Sequence, residues 1–123
     1  MAAESNFMPV FARLKDILKT YEPQMDVKSD TSDSYYLDTH RIHPLTKKPA
    51  FFGAVSIKKN YVSFYLMPVY GCPRLLDGIS DGLKKRMQGK SCFNFKEIDE
   101  GLFEELTALT RRGFEVYDSE GLI

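Results

Sequence analysis

The segment from Phe51 to Pro68 constrains the fold of this chain more than any other. It reads FFGAVSIKKNYVSFYLMP, with two runs of β-branched and aromatic residues on either side of the polar turn Lys58-Lys59-Asn60. Such residues favour strands, and a short polar turn between two such runs is typical of a hairpin. The segment therefore predicts two antiparallel strands.

The register of this hairpin follows from the alternation of its side chains. If the turn is centred on Lys59 and Asn60, the aliphatic residues collect on one face, and a slip by one residue would move them all to the other face. The predicted cross-strand pairs are Ile57 with Val62, Val55 with Phe64, and Gly53 with Leu66. The opposite face then carries Phe52, Ala54, Ser56, Lys58, Tyr61, Ser63, Tyr65 and Met67.

We interpret the larger side chains of this second face, Phe52, Tyr61, Tyr65 and Met67, as a candidate binding surface. A contiguous aromatic patch suits a protein partner, a second copy of the chain in a homodimer, or a flat small ligand. Strand propensity alone would also place aromatic residues on an ordinary exposed sheet face. Both interpretations stay open at this point.

Two amphipathic helices are predicted at the ends of the chain, from Asn6 to Tyr21 and from Asp99 to Asp118. Their apolar stripes and the one apolar sheet face predict an α+β fold, a two-layer sandwich with an antiparallel sheet and both helices packed on one side. The intervening predictions are strands at Met25 to Ser29 and Ser34 to Asp38, a loop at Thr39 to Pro49, a helix at Asp81 to Gln88 and an edge strand at Cys92 to Phe95.

Length and charge narrow the class of protein. The 123 residues are enough for one domain, 1–123, with its own core. The 17 basic and 17 acidic residues cancel, which disfavours nucleic acid as the main partner. The start of the chain, MAAESNF, has no charged residue followed by an apolar run, and no segment is long and apolar enough to span a membrane. We therefore expect a cytoplasmic protein with no membrane partner.

No catalytic signature accompanies this architecture. The sequence has no nucleotide-binding glycine loop, and its two histidines, His40 and His43, lie in one proline-containing segment. The cysteines Cys72 and Cys92 lack metal-ligand spacing, and a reducing cytoplasm would keep them as free thiols. A binding module is thus better supported than an enzyme.

Two charged clusters are candidate sites. The first contains Asp26, Asp30, Asp33 and Asp38, whose carboxylates suit hard cations, although a solvated acidic turn would look the same. The second is a basic loop with Arg41, His43, Lys47 and Lys48. Together with the tyrosine-rich sheet face, this loop gives an alternative function: binding of single-stranded nucleic acid or a small ligand.

The segments from Phe52 to Leu66 and from Gly89 to Leu106, the latter reading GKSCFNFKEIDEGLFEEL, resemble the YdhG-like family of unknown function. The resemblance covers most of the chain between Phe7 and Tyr117. It implies a frataxin-like fold. Because some members of that family are described as intracellular iron chaperones, it also implies iron as cargo or cofactor, with no ligand residue assigned.

Overall fold

The computed structural model describes residues 2–123, with side chains described from Phe7 onward. Its helices are α1 (Ala2–Lys19), α2 (Met67–Gly71), α3 (Asp81–Lys84) and α4 (Glu100–Ser119). Its strands are β1 (Met25–Asp30), β2 (Ser34–Ile42), β3 (Pro49–Ile57), β4 (Val62–Leu66), β5 (Met87–Gln88) and β6 (Cys92–Phe95). Short 3-10 turns lie at Glu22–Gln24 and Pro73–Leu76.

The predicted two-layer α+β sandwich is confirmed. Within the described residues the strands form one antiparallel sheet in the order β1-β2-β3-β4-β6-β5. Helices α1 and α4 both pack on one face of this sheet, and their apolar stripes share a continuous core with it. Fully buried members of that core include Leu14 from α1, Phe64 from β4 and Leu106 from α4.

The predicted hairpin register is confirmed. In the β3–β4 pair, Ile57 lies opposite Val62, Val55 opposite Phe64, and Gly53 opposite Leu66. The backbone NH of Lys58 donates to the carbonyl of Tyr61 at 2.8 Å and closes the turn. Val55, Val62, Phe64 and Leu66 are buried on the helix side, as the alternation predicts.

The predicted position of Phe52 on the open face is wrong, because a β-bulge interrupts β3. On β2, Leu37 pairs with Gly53 and the next residue, Asp38, pairs with Phe51, so Phe52 is an extra residue on β3. An extra residue shifts the alternation of one strand relative to its neighbour. Phe52 is therefore fully buried in the core, and Phe51 takes its place on the open face.

Two glycines allow the layers to approach closely. A β-carbon at Gly53 would lie 2.9 Å from Leu18 Cδ2 of α1 and 2.9 Å from the backbone oxygen of Tyr65. A β-carbon at Gly113 in α4 would lie 3.1 Å from Cβ of Pro68 in α2. Helix α1 thus rests directly on the backbone of β3, and α4 rests on helix α2, which follows β4.

Tertiary pairing changes several predicted boundaries. Strand β2 continues to Ile42 because β3 pairs with it as far as Pro49, so the predicted loop shortens to residues 43–48. The predicted helix from Asp81 ends at Lys84, and Met87–Gln88 instead pairs with β6, so β6 is not an edge strand. Met67 was predicted on a strand but begins α2.

Candidate functional site

The main candidate site is a cavity of about 530 Å³ at one end of the sheet. It lies between the turn at residues 43–48, the start of β3, helix α2 and the end of α4. Its lining is mostly apolar, and comprises His43, Leu45, Thr46, Lys48, Pro49, Ala50, Phe51, Met67, Pro68, Tyr70, Gly71, Tyr117, Glu120 and Leu122.

One wall is the turn between β2 and β3, which is held by its own hydrogen bonds. The backbone NH of His43 donates to the carbonyl of Lys48 at 2.8 Å, and the NH of Lys47 donates to the carbonyl of His43 at 2.9 Å. Lys47 has a φ of 61°, the left-handed conformation that tight turns require. The turn therefore holds Leu45, which is 86% exposed, at the rim of the cavity.

The ring of the histidine in this turn accepts a backbone hydrogen bond. His43 Nδ1 accepts a hydrogen bond from the backbone NH of Leu45 at 3.1 Å. In a neutral imidazole one nitrogen accepts while the other carries the proton. His43 Nε2 is then the nitrogen that can donate to a ligand.

The floor of the cavity is formed by Tyr117 of α4 and the start of β3. The Tyr117 hydroxyl donates to the backbone oxygen of Phe51 at 2.7 Å, which ties α4 to the bulged strand. Burial raises the pKa of Tyr117 far above its usual value, so the phenol stays neutral. Ala50 is buried beside it, and its small side chain leaves space that a larger residue would fill.

The opposite wall is helix α2 and the residues around it. Val69 of this helix is buried in the core, whereas Tyr70 is 57% exposed at the cavity rim. Lys90 Nζ lies 5.7 Å from the centre of the Tyr70 ring, within the range of a cation–π contact. Gly71 lines the cavity, and a β-carbon there would meet no described atom within 4 Å.

The open face of the sheet meets this cavity at Phe51. Its ring lines the cavity and also stacks on Tyr36, with ring centroids 4.5 Å apart. Tyr65 lies next to Ala54 on the same face and is half-buried. Of the predicted binding surface, Tyr61 and Tyr65 lie on this face, Met67 lines the cavity, and Phe52 is in the core.

The far half of the open face is a polar network. Ser63 Oγ donates to Asn94 Oδ1 at 2.7 Å, and Asn94 Nδ2 donates to Gln88 Oε1 at 2.7 Å. The Cys92 thiol donates to the same Asn94 oxygen at 3.3 Å. Burial raises the pKa of Cys92, which keeps it a thiol rather than a nucleophilic thiolate.

The four predicted aspartate ligands do not come together. Asp26 and Asp38 face each other across β1 and β2, whereas Asp30 and Asp33 lie at the hairpin turn. Asp26 pairs with Lys28 at 2.8 Å, and Asp30 pairs with Lys15 at 2.6 Å. In the described part of the chain, no three His, Cys, Asp or Glu side chains are grouped to hold a metal ion.

The pKa values of the facing carboxyls of Asp38 and Asp26 are shifted in opposite directions. Desolvation raises the pKa of Asp38, which is 9% exposed, and the charge of Lys28 offsets part of that rise. The hydrogen bond from Lys28 lowers the pKa of Asp26. Lys28 thus acts chiefly as the partner of Asp26.

The residues of the predicted basic loop do not form one cluster. Arg41 lies on β2 rather than in a loop, and its Nε donates to the Ile123 backbone oxygen at 3.1 Å. His43 and Lys48 line the cavity, and Lys47 is exposed at the turn. His43 and Lys48 therefore form part of the cavity wall, whereas Arg41 binds the backbone of Ile123.

The cavity could not be predicted from the sequence because its lining comes from three segments that are distant in the chain. The sequence feature that could have indicated the cavity is the presence of large apolar residues outside the predicted strands and the apolar faces of the predicted helices. Leu45 and Tyr70 both lie in proline-containing connections and remain exposed at the rim. Exposed apolar residues that gather around one opening mark a binding site more often than scattered ones do.

Comparison with protein-family models, with curated proteins and with solved structures finds no match to this chain. The resemblance to the YdhG-like family therefore stays a prediction. Among the described residues, no helix has the length and apolar character needed to cross a membrane.

Proposed function

We propose that this protein is a binding module that holds a small, largely apolar molecule in the cavity at the end of the sheet. The observation that carries the proposal is the cavity itself, about 530 Å³ in volume and walled mainly by aromatic and aliphatic side chains. Sites for drug-sized ligands have volumes of roughly 300 to 1,000 Å³ and combine apolar walls with a few polar groups.

The polar groups of the wall indicate the kind of ligand. Besides the phenols of Tyr70 and Tyr117, the ionisable side chains of the described lining are His43, Lys48 and Glu120. They lie among apolar walls, so they suit one polar end of an otherwise apolar molecule. The aromatic rings of Phe51 and Tyr70 favour a flat ligand, because flat rings stack on aromatic side chains with little loss of conformational freedom.

A binding role also fits the chemistry of the lining better than catalysis does. Thr46 is the aliphatic hydroxyl of the described lining, and neither cysteine belongs to it. Nucleophilic catalysis needs an activated nucleophile beside a base. The cytoplasmic location, the YdhG-like relationship and the iron role that it implies remain predictions of the sequence.

Gly71 provides a direct test of the cavity. It lines the cavity, its φ is not positive, and a β-carbon there would meet no described atom within 4 Å, so we expect a leucine to be accommodated and to take up space in the cavity. Gly101 offers a matched control, because it is exposed in the first turn of α4 and its β-carbon would meet Asp99 at an ordinary 3.6 Å.

The experiment combines native mass spectrometry of the purified protein with titration of anilinonaphthalene sulfonate, a flat apolar probe with one anionic group. We expect the wild type and Gly101→Leu to bind the probe equally and Gly71→Leu to bind it about tenfold more weakly, which corresponds to about 1.4 kcal/mol. Mass spectrometry should detect any small molecule retained from the cell. Equal probe affinity in all three proteins, or no binding by the wild type, would refute the cavity as the site.

A further inference from the structure

Strand pairing brings three cations from the two ends of the β5–β6 hairpin together at one edge of the sheet. Lys85 and Arg86 directly precede β5, and Lys96 directly follows β6. Because β5 and β6 are antiparallel, the residues before one strand and after the other lie at the same end. The backbone NH of Asn94 donates to the carbonyl of Arg86 at 2.8 Å and fixes this arrangement.

The three cations line a cleft of about 340 Å³. The rest of its described lining is Tyr61, Met87, Gln88 and Asn94, without an acidic side chain. The ion pairs found among the described residues use other cations, namely Arg13, Lys15 and Lys28. Positive charge at this cleft is therefore not neutralised by a carboxylate within ion-pair distance in the described chain.

Carboxylates do lie nearby, but they are not part of the lining of this cleft. Glu97 and Asp99 line a neighbouring cleft that shares Lys85, Arg86 and Lys96. Asp99 already caps α4, where its Oδ1 accepts from the backbone NH of Leu102 at 3.1 Å. The described lining of the first cleft therefore contains only cationic and neutral side chains.

The wall of the cleft is preorganised by neutral polar groups. Asn94 is held by the Ser63 hydroxyl and by Gln88, and the Tyr61 hydroxyl lies 3.5 Å from Gln88 Oε1. Both of these bonds to Gln88 end on its oxygen, so among the described residues its amide nitrogen is available to donate to a ligand. The half-exposed ring of Tyr61 forms an aromatic wall next to the charges.

We infer that this cleft binds a phosphate-bearing anion. A phosphate group presents several acceptor oxygens that match the donors of arginine, lysine and an amide, and arginine can bind two of these oxygens at once. Bringing three like charges together costs free energy unless an anion offsets it. The phosphate belongs either to a free phosphorylated molecule or to a nucleic-acid strand, whose base would stack on Tyr61.

The cationic cleft and the cavity at the end of the sheet share no lining residue in the described structure, so binding at each can be tested separately. The probes are inorganic pyrophosphate, followed by calorimetry, and a short oligothymidylate, followed by fluorescence anisotropy, each at low and high salt. The site variants are Arg86→Gln and Lys96→Gln, both at exposed positions. The matched controls are Arg112→Gln and Lys19→Gln, exposed on the helices.

We expect each site variant to weaken binding about tenfold, because it removes a charged hydrogen bond, and each control to leave the affinity unchanged. Binding of pyrophosphate would show that a free phosphorylated molecule is enough to occupy the cleft. Binding of oligothymidylate alone identifies a strand backbone. Absence of binding by both probes at low salt, or equal losses in site and control variants, would overturn the inference.

Discussion

Phe51 stacks on Tyr36 on the open face of the sheet, with ring centroids 4.5 Å apart and ring planes 20° apart. The adjacent Phe52 lies on the other side, where it contacts Tyr21 edge to face at 5.6 Å. Two consecutive phenylalanines thus have different roles. Phe51 lies on the open face and lines the cavity, whereas Phe52 belongs to the core.

This difference predicts unequal costs of truncation. Phe52→Ala should lower the free energy of unfolding by about 3 to 5 kcal/mol, as loss of a buried aromatic does. Phe51→Ala should lower it by about 1 to 2 kcal/mol, from one aromatic stack and a partly exposed ring. Urea unfolding of both variants checks this prediction. Equal losses would mean that the bulge lies elsewhere in β3.

Gly53→Ala should destabilise the protein by about 1 to 3 kcal/mol, because the new methyl group would press on Leu18 and on a backbone oxygen of Tyr65 that cannot rotate away. Gly71→Ala is the matched control, with open space among the described atoms at its β-carbon. It should be neutral or stabilising by less than about 1 kcal/mol. Thermal unfolding of the two variants distinguishes them, and a neutral Gly53→Ala would contradict the close packing of α1.

The hairpin register was predictable because it depends on local information. The turn at residues 58–60 and the alternation of Val55, Ile57, Val62 and Phe64 are all contained in one short segment. The starts of α3 and α4 depend on equally local information. Leu102 donates its backbone NH to Asp99, and Leu83 donates its backbone NH to Ser80 at 3.1 Å, so both helix starts follow from single residues.

The bulge was not predictable, since it depends on how β2 pairs with β3. The sequence around Phe51 and Phe52 does not indicate which of the two side chains points toward the helices. The cleft lined by Lys85, Arg86 and Lys96 was missed for a related reason: Met87 and Gln88 follow a short helix, and only pairing with β6 makes them a strand. Non-local pairing thus determines both candidate sites.

Asp38 and Asp26 should respond to pH in opposite directions. Burial raises the pKa of Asp38, so the native state binds its proton more tightly than the unfolded state does, and stability falls as pH rises through that range. Asp38→Asn should therefore stabilise the protein at neutral pH, by less than about 1 kcal/mol because Lys28 offsets part of the cost. The gain should vanish below the usual pKa of an aspartate.

Asp26→Asn should have the opposite effect on stability at neutral pH. Its pKa is lowered by the hydrogen bond from Lys28, so its ionised form contributes stability above the usual pKa of an aspartate, and that contribution is lost as pH falls through the lowered pKa. Urea unfolding between acid and neutral pH measures both variants. The same pH dependence for the two substitutions would contradict the different surroundings of these facing carboxyls.

We propose that the cavity at the end of the sheet is the ligand site of this protein. The most direct test is the backbone amide spectrum of the isotope-labelled protein during titration with anilinonaphthalene sulfonate. The largest shifts are predicted at residues 43–51, 67–71 and 117–122, which surround the cavity. Largest shifts at the outer surfaces of α1 and α4, or shifts spread evenly over the chain, would contradict it.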